Sequence, residues 1–256
     1  MKRVIILFTL LLTLFSINAI GQNKRVKWSK IIIDSTYNPT CCSNLKSSAI
    51  IAKYKPEVDK LSSPIGFSPN GLNRGFPVAP LSSWAVDALF SYGRNYLDTT
   101  GRKNMKLDFA ILNFGGIRTE MPKGNVSKLD VLSIFPFDNH LVIVSMSGKT
   151  IKTLMKHFAK TRPQIMSKQV KLEIKNKEVK KCLINGKPID ENKTYNVATI
   201  DFLLYGGDGL YALKYNTGVI ETKIKMMDII ISHIIDLTSN NKAIEKSIDD
   251  RIVIDK

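Results

Sequence analysis

The feature that most restricts the fold is a short, mostly apolar run, Leu107 to Leu112, which lies between helical patterns and stops at Asn113-Phe114-Gly115-Gly116. A run of that length bounded by glycines reads as a buried strand. Before it, Leu81, Ala85, Ala88 and Leu89 fall at i, i+4, i+7 and i+8, which predicts a helix from about Leu81 to Tyr96 with Pro80 at its start. After it come a short helix over 128–134, a strand from Leu141 to Met146, and a helix capped by Ser147 that carries Ile151, Leu154, Met155 and Phe158 on one face. Residues 168–200 read as several strands, ending in one from Tyr195 to Thr199, and Asn185-Gly186 marks a tight hairpin. A last long helix is expected from about Thr222 to Leu237, with Ile224, Met227, Ile231, Ile234 and Ile235 along one side, then a closing strand from Arg251 to Ile254. Nearer the start, Ser47 to Leu61 suits a helix interrupted by Pro56, and 62–80 is a connecting stretch of turns. Such interleaving predicts one α+β (mixed α/β) domain over 47–256, a mixed sheet with flanking helices.

The N-terminus has a different character. Lys2 and Arg3 precede an apolar run from Val4 to about Phe15, and Ala19 and Gly21 stand where a signal peptidase cut after Gly21 requires small residues. The run is shorter than the ~20 residues a spanning helix needs. An exported chain, periplasmic or secreted, is therefore expected, with 1–21 a signal peptide. Residues 22–46 are a lead-in with one short strand, Ile31 to Ile33. The charge of +16 falls only to +14 when Lys2 and Arg3 leave with the leader. Twelve Lys/Arg against four Asp/Glu crowd into 151–193, where they alternate with apolar positions and read mainly as a solvated sheet face. No nucleic-acid partner is expected; attraction of small phosphorylated ligands is the milder inference. Either of the adjacent Cys41 and Cys42 could pair with Cys182 in an oxidising compartment.

Three segments carry chemistry: Asn113-Phe114-Gly115-Gly116-Ile117-Arg118, Phe135-Pro136-Phe137-Asp138-Asn139, and Asp201-Phe202 through Gly206-Gly207-Asp208-Gly209. Singly, each has an ordinary explanation: paired glycines mark turns, and a Phe beside a Pro is usually core. Together they supply two rings, a cation, an amide and a carboxylate from turn-rich stretches, where binding residues concentrate. Rings take the face of a base, Asp accepts from both ribose hydroxyls, and Arg answers phosphate with its fork geometry.

In order and spacing these segments resemble those of the 5'-nucleotidase C-terminal domain: Asn-Gly-Gly-Gly-Ile-Arg, Leu-Pro-Phe-x-Asn and Phe-Leu-x-x-Gly-Gly-Asp-Gly. The resemblance covers about residues 47–237. It implies that Phe137 and Phe202 sandwich the nucleobase, that Asp208 takes the ribose hydroxyls, that Asn113 contacts the base, and that Arg118 lies near ribose or phosphate. Arg74 is the nearest match to a further family arginine. Departures are Phe114 for the first glycine of the triplet, which could alter the turn or narrow the pocket, and Asp138 for a common Gly, which adds negative charge near the ligand.

The family's hydrolysis belongs to an N-terminal metallophosphatase domain, whose two metal ions activate water and clamp phosphate. Its His- and Asp-rich ligand array has no counterpart in this sequence. Asp138-Asn139-His140 is only superficially similar to one fragment, and His157 and His233 stand isolated on predicted helices. The resemblance therefore implies a binding component of a split 5'-nucleotidase acting in nucleotide catabolism. Such a component has no catalytic residue, metal ligand or cofactor of its own; divalent metals are expected in a separate metallophosphatase chain. The alternative is a stand-alone exported nucleoside- or nucleotide-binding protein. A third reading is a degenerate domain with no nucleotide site, used for surface adhesion or for binding acidic polymers.

Overall fold

The computed structural model describes residues 45–246 and 249–255. The expected leader, the Ile31–Ile33 strand, Cys41 and Cys42 lie outside the described residues. The chain divides into two compact units, Met1–Ile51 and Ala52–Lys256. Of the first, only the opening of helix α1 (Leu45–Ser62) is described. That helix runs through Pro56, where the sequence predicts a break: one backbone hydrogen bond is missing but the helix continues.

In chain order the second unit contains β1 (Pro64–Ser68), α2 (Pro80–Thr99), β2 (Leu107–Leu112), β3 (Gly124–Ser127), α3 (Lys128–Ile134), β4 (His140–Ser147), α4 (Gly148–Lys160), β5 (Ile165–Met166), β6 (Val170–Lys175), β7 (Glu178–Ile184), β8 (Lys187–Pro188), β9 (Thr194–Ile200), α5 (Asp201–Leu204), β10 (Gly218–Lys225), α6 (Met226–Ser239) and β11 (Ile252–Asp255). The main sheet is mixed, in the order β10-β4-β9-β2-β5. Strands β2 and β9 are parallel, and the other pairs antiparallel. A second sheet, β11-β6-β7-β8, and the pair β1-β3 complete the framework.

The sequence stripes are where this fold is packed. All six residues of β2 are buried, and so are Leu81, Ala85, Ala88 and Leu89 of the overlying α2. Ser147 caps α4 by accepting from the Thr150 N–H, and Ile151, Leu154, Met155 and Phe158 are buried beneath it. Each large apolar side chain so buried contributes roughly 1.5–3 kcal/mol. Asn185 and Gly186 both take positive φ, +52° and +76°, as the predicted hairpin turn requires.

Three expectations are corrected. Residues 222–225, expected to open the last helix, instead end β10, whose residues alternate in exposure along an edge strand paired with β4. The last helix starts only at Met226 and turns Met226, Ile229, Ile230 and Ile234 inward, leaving Ile235 exposed. The run of apolar residues through 224–235 fits two phases, and pairing with β4 selects the strand for its first part. Within the expected turn region 62–80, Pro64–Ser68 pairs with Gly124–Ser127 as a strand. One sheet was expected, and three are present.

Strand β10 ends the main sheet with a distorted margin. Its register shifts between Glu221 and Lys225, and Lys223 adopts φ +59°. The opposite margin, β5, is only two residues long.

Arg251, just before β11, is 3% exposed. Its guanidinium donates to both oxygens of Asp87 at 3.0 and 2.9 Å, to Asp249 at 2.6 and 2.8 Å, and to the Met166 carbonyl at 3.1 Å. This ties the C-terminal segment to α2 and β5. Burial would raise the Asp249 pKa, yet Arg251 holds it below the usual carboxylate range. Burial pushes the Cys182 thiol up to about 12, so its thiolate form is scarce at neutral pH.

His233 on α6 lies 5.3 Å from the Trp84 ring. Burial holds its imidazole below the ordinary 6.5, partly opposed by Asp236. The unfolded chain thus takes up this proton first as pH falls, so stability declines below about pH 6.5. Melting temperature measured from pH 8 to pH 5 should fall less in His233→Phe than in the parent chain; equal falls would exclude His233 as the source. No helix among the described residues is long and apolar enough to cross a membrane.

Candidate functional site

Strand direction gathers the three chemical segments. Because β2 and β9 run parallel, their C-terminal ends, Leu112 and Ile200, leave the sheet on the same side. Strand β4 is antiparallel to β9, and Leu141 near its start pairs with Ile200 at the end of β9. Asn113, Phe202 and the Phe137–Asn139 segment therefore emerge together, at the carboxyl ends of parallel strands where open sheets place ligands.

There they line a cavity of about 260 Å³ formed by Asn113, Gly115, Gly116, Arg118, Phe137, Asn139, Phe202 and Asp208. Five of the six predicted residues are among them. Phe137 and Phe202 are 46% and 43% exposed, large rings left open to solvent at the cavity. An apolar niche lies beside them, lined by Leu112, Ile117, Phe135, Ile200 and Met226 together with Phe137.

The Asn113 amide is buried and donates through Nδ2 to the Asp208 carboxylate at 2.9 Å. Its Oδ1 is buried without a partner and lies against Gly116, where an added Cβ would approach it to 2.7 Å. Asn113 thus orients Asp208, which itself takes a left-handed φ of +52° in the Gly206–Gly209 turn. At Gly207 an added Cβ would overlap the Phe202 ring, so glycine there lets the ring lie over the turn. Arg118 sits 5.8 Å from the Phe137 ring centre, and its Nη1 reaches the Gly115 carbonyl at 3.4 Å.

Arg74, the sixth predicted residue, is not among the lining residues. Its Nη1 donates to the carbonyls of Ile117 and Arg118 at 2.8 and 2.7 Å, bracing the loop from behind. Phe114 packs its ring against Phe76 at 5.4 Å, with the Arg162 guanidinium over both rings, and does not line the cavity. Asp138 pairs with Lys225 at 2.6 Å; that hydrogen bond holds its carboxyl below the usual range and offsets its charge.

Two features of this region went unpredicted. Asn139 lines the cavity with no side-chain hydrogen bond among the described residues, although it is the last residue of a quoted segment. His140 and Asp201 bind each other at 3.0 Å, and Asp201 also accepts from the His140 and Phe202 N–H groups. That pair ties the two ring-bearing segments together; neither residue's neighbours in sequence signal the contact. Among the described residues no three of His, Cys, Asp and Glu gather into a metal-ligand set.

A family model described as "5'-nucleotidase, C-terminal domain" matches residues 64–215, more than half of the chain. Protein UshA of Yersinia enterocolitica is 33% identical over 126 residues, which is 46% of this chain but 23% of the relative. The NAD 5'-nucleotidase of Haemophilus influenzae is 27% identical over 197 residues, 64% of this chain and 31% of that protein. The chain thus spans less than a third of the length of these relatives. Among solved structures, the 5'-nucleotidase precursor of Thermus thermophilus superposes with a TM-score of 0.67 at 21% identity, over 82% of this chain and 43% of its own, a likeness of fold. Together with three segments converging on one cavity, these matches place the chain in the 5'-nucleotidase C-terminal domain family.

Proposed function

We propose that this domain grips the nucleoside part of a nucleotide while a separate metallophosphatase chain hydrolyses the phosphate. Phe137 and Phe202 flank the base, Asp208 accepts the ribose hydroxyls, and Asn113 keeps that carboxylate aimed. Asn139 offers its amide to the base edge, Arg118 faces the phosphate side, and Arg74 steadies the loop that carries Arg118. Binding energy drawn from base and sugar, remote from the reacting phosphorus, positions the phosphate for its attack. The two metal ions that supply the Lewis acidity belong to the partner; the three histidines here are dispersed over β4, α4 and α6. The signal-like N-terminus supports action outside the cytoplasm.

What carries this reading is the pair of half-exposed rings lining one cavity with a carboxylate held by the Asn113 amide. Calorimetry with adenosine 5'-monophosphate should show one site, while the chain alone releases no phosphate and speeds release when a metallophosphatase chain is added. Phosphate release by the chain alone, abolished by Phe137→Ala with Phe202→Ala, would overturn the division of labour. Binding without any effect on a phosphatase would favour the stand-alone binding protein. Gly207→Ala should weaken nucleotide affinity at least about tenfold, the value of one stacked ring, because the new Cβ meets both the Phe202 ring and the Phe202 carbonyl and so shifts the ring and the turn. An unchanged Kd in that variant would remove Phe202 from the site.

A further inference from the structure

The turn that presents Asp208 to the ring cavity borders a second, larger concavity of about 450 Å³ on Gly209, Leu210 and Tyr211. Its other wall is α4, through Lys149, Thr153 and His157. Tyr211 and Tyr215 line it and are 63% and 75% exposed, more open than either phenylalanine of the first site. Lys214 lies 5.5 Å from the Tyr211 ring centre.

Of the lysines on α4 only Lys149 lines this concavity; Lys152 and Lys156 line a neighbouring one with Val179, Lys181 and Cys182. Lys149, Lys152, Lys156 and Lys160 recur at i, i+3, i+7 and i+11, which places them along one solvent-facing side of α4. At 1.5 Å per residue the row is roughly 16 Å long. Only Lys152 is ion-paired among the described residues, with Glu191 at 2.9 Å. The positive stretch that the sequence suggests as a sheet face is therefore in part a continuous cationic ridge beside two bare aromatic rings.

Each half of this arrangement narrows the ligand. A cationic row longer than one nucleotide suits a polymer of phosphates, whose bound counterions are released on contact. Exposed ring faces add sequence-tolerant stacking, which only unpaired bases can use. An acidic protein would satisfy the lysines but leave the rings without a flat partner, and a duplex hides its base faces. We propose that this groove and the lysine ridge leading away from its rim bind single-stranded nucleic acid, with bases stacked on Tyr211 and Tyr215 and phosphates following the ridge from Lys149. The site is separate from the ring cavity and does not depend on the function proposed for it.

Fluorescence anisotropy on the full chain tests this with labelled oligothymidylate of roughly a dozen nucleotides, within the span one such binding fold covers. A duplex of equal length and unlabelled heparin serve as comparisons. The single strand should bind at least tenfold more tightly than the duplex, with affinity falling steeply as salt rises. Tyr211→Ala with Tyr215→Ala should cost at least tenfold, and the corresponding Phe variants should retain binding. Lys149→Gln with Lys156→Gln, both at exposed positions, should flatten the log–log salt dependence by about 0.7 for each phosphate no longer neutralised. Phe137→Ala with Phe202→Ala should leave oligonucleotide binding intact. The proposal is overturned if the single strand does not bind, if duplex or heparin binds equally well and the tyrosine variants behave as the parent, or if the phenylalanine pair abolishes binding. The last result would put the strand in the ring cavity instead. Should the tyrosine pair unfold the chain by circular dichroism, the lysine variant decides: an unchanged salt slope refutes the groove.

Discussion

Replacing Phe137 and Phe202 together by alanine should weaken adenosine binding by about a hundredfold or more while leaving the melting temperature almost unchanged. Each ring stacked on a base is worth roughly 1–3 kcal/mol, and the two act on opposite faces of one ligand in the proposed complex. Stability is spared because both rings are nearly half exposed and contribute little to the core. Calorimetric titration of the parent, both single variants and the pair is the measurement. A Kd that moves less than threefold in the pair would mean that the rings are not the base platform. Asp208→Asn provides a second axis: it should weaken ribonucleosides more than 2'-deoxynucleosides if the carboxylate serves the sugar hydroxyls.

The largest effect on stability is expected at Arg251. Arg251→Met removes a buried cation that holds Asp87 and Asp249 at once, leaving carboxylates without their partner. Breaking a buried pair from one side typically costs about 3–5 kcal/mol; because Asp249 is 41% exposed the lower end applies, which for a domain of this size lowers Tm by roughly 10 °C. Adding Asp87→Asn should recover part of the deficit, because the orphaned charge goes with it. Asp249 sets the pH dependence of this cluster. Its folded carboxyl is held below its unfolded value, so its stabilisation is complete above the usual carboxylate range and disappears as pH falls through the folded value. Denaturant titration at pH 7 and pH 3 should show the gap between parent and variant narrowing in acid. A gap that stays constant would argue that packing, not charge, is what Arg251 contributes.

The sequence was most informative where one residue type has one physical use. The stripe over α2, the six-residue β2, the Ser147 cap and the Asn185-Gly186 turn each follow from local chemistry, and all are present. The start of α6 was misplaced because Ile220, Ile224 and Met227 satisfy a strand and a helix alike until β4 is there to pair with. Similarly, five site residues could be gathered from motif order, but their division of labour could not. That Asn113 serves Asp208, and that Arg74 serves two carbonyls rather than the cavity, depends on distances across 95 and more than 40 residues of chain. Such partners leave no periodic trace. Asn139 was missed because an amide beside a turn is commonplace until its neighbours are seen to be a cavity wall.

The distorted margin of β10 bears on how this chain behaves at high concentration. A straight, regular outermost strand is a template on which another molecule can add its own backbone, and such growth is how many β-rich proteins come out of solution. Here the kink at Lys223, with charge on Lys223 and Lys225, denies a newcomer a regular ladder, while at the far side β5 is too short to seed one. Straightening that kink, which takes removal of both extra residues, for instance Thr222 and Lys223, should leave the monomer folded yet make its solutions turn cloudy on storage.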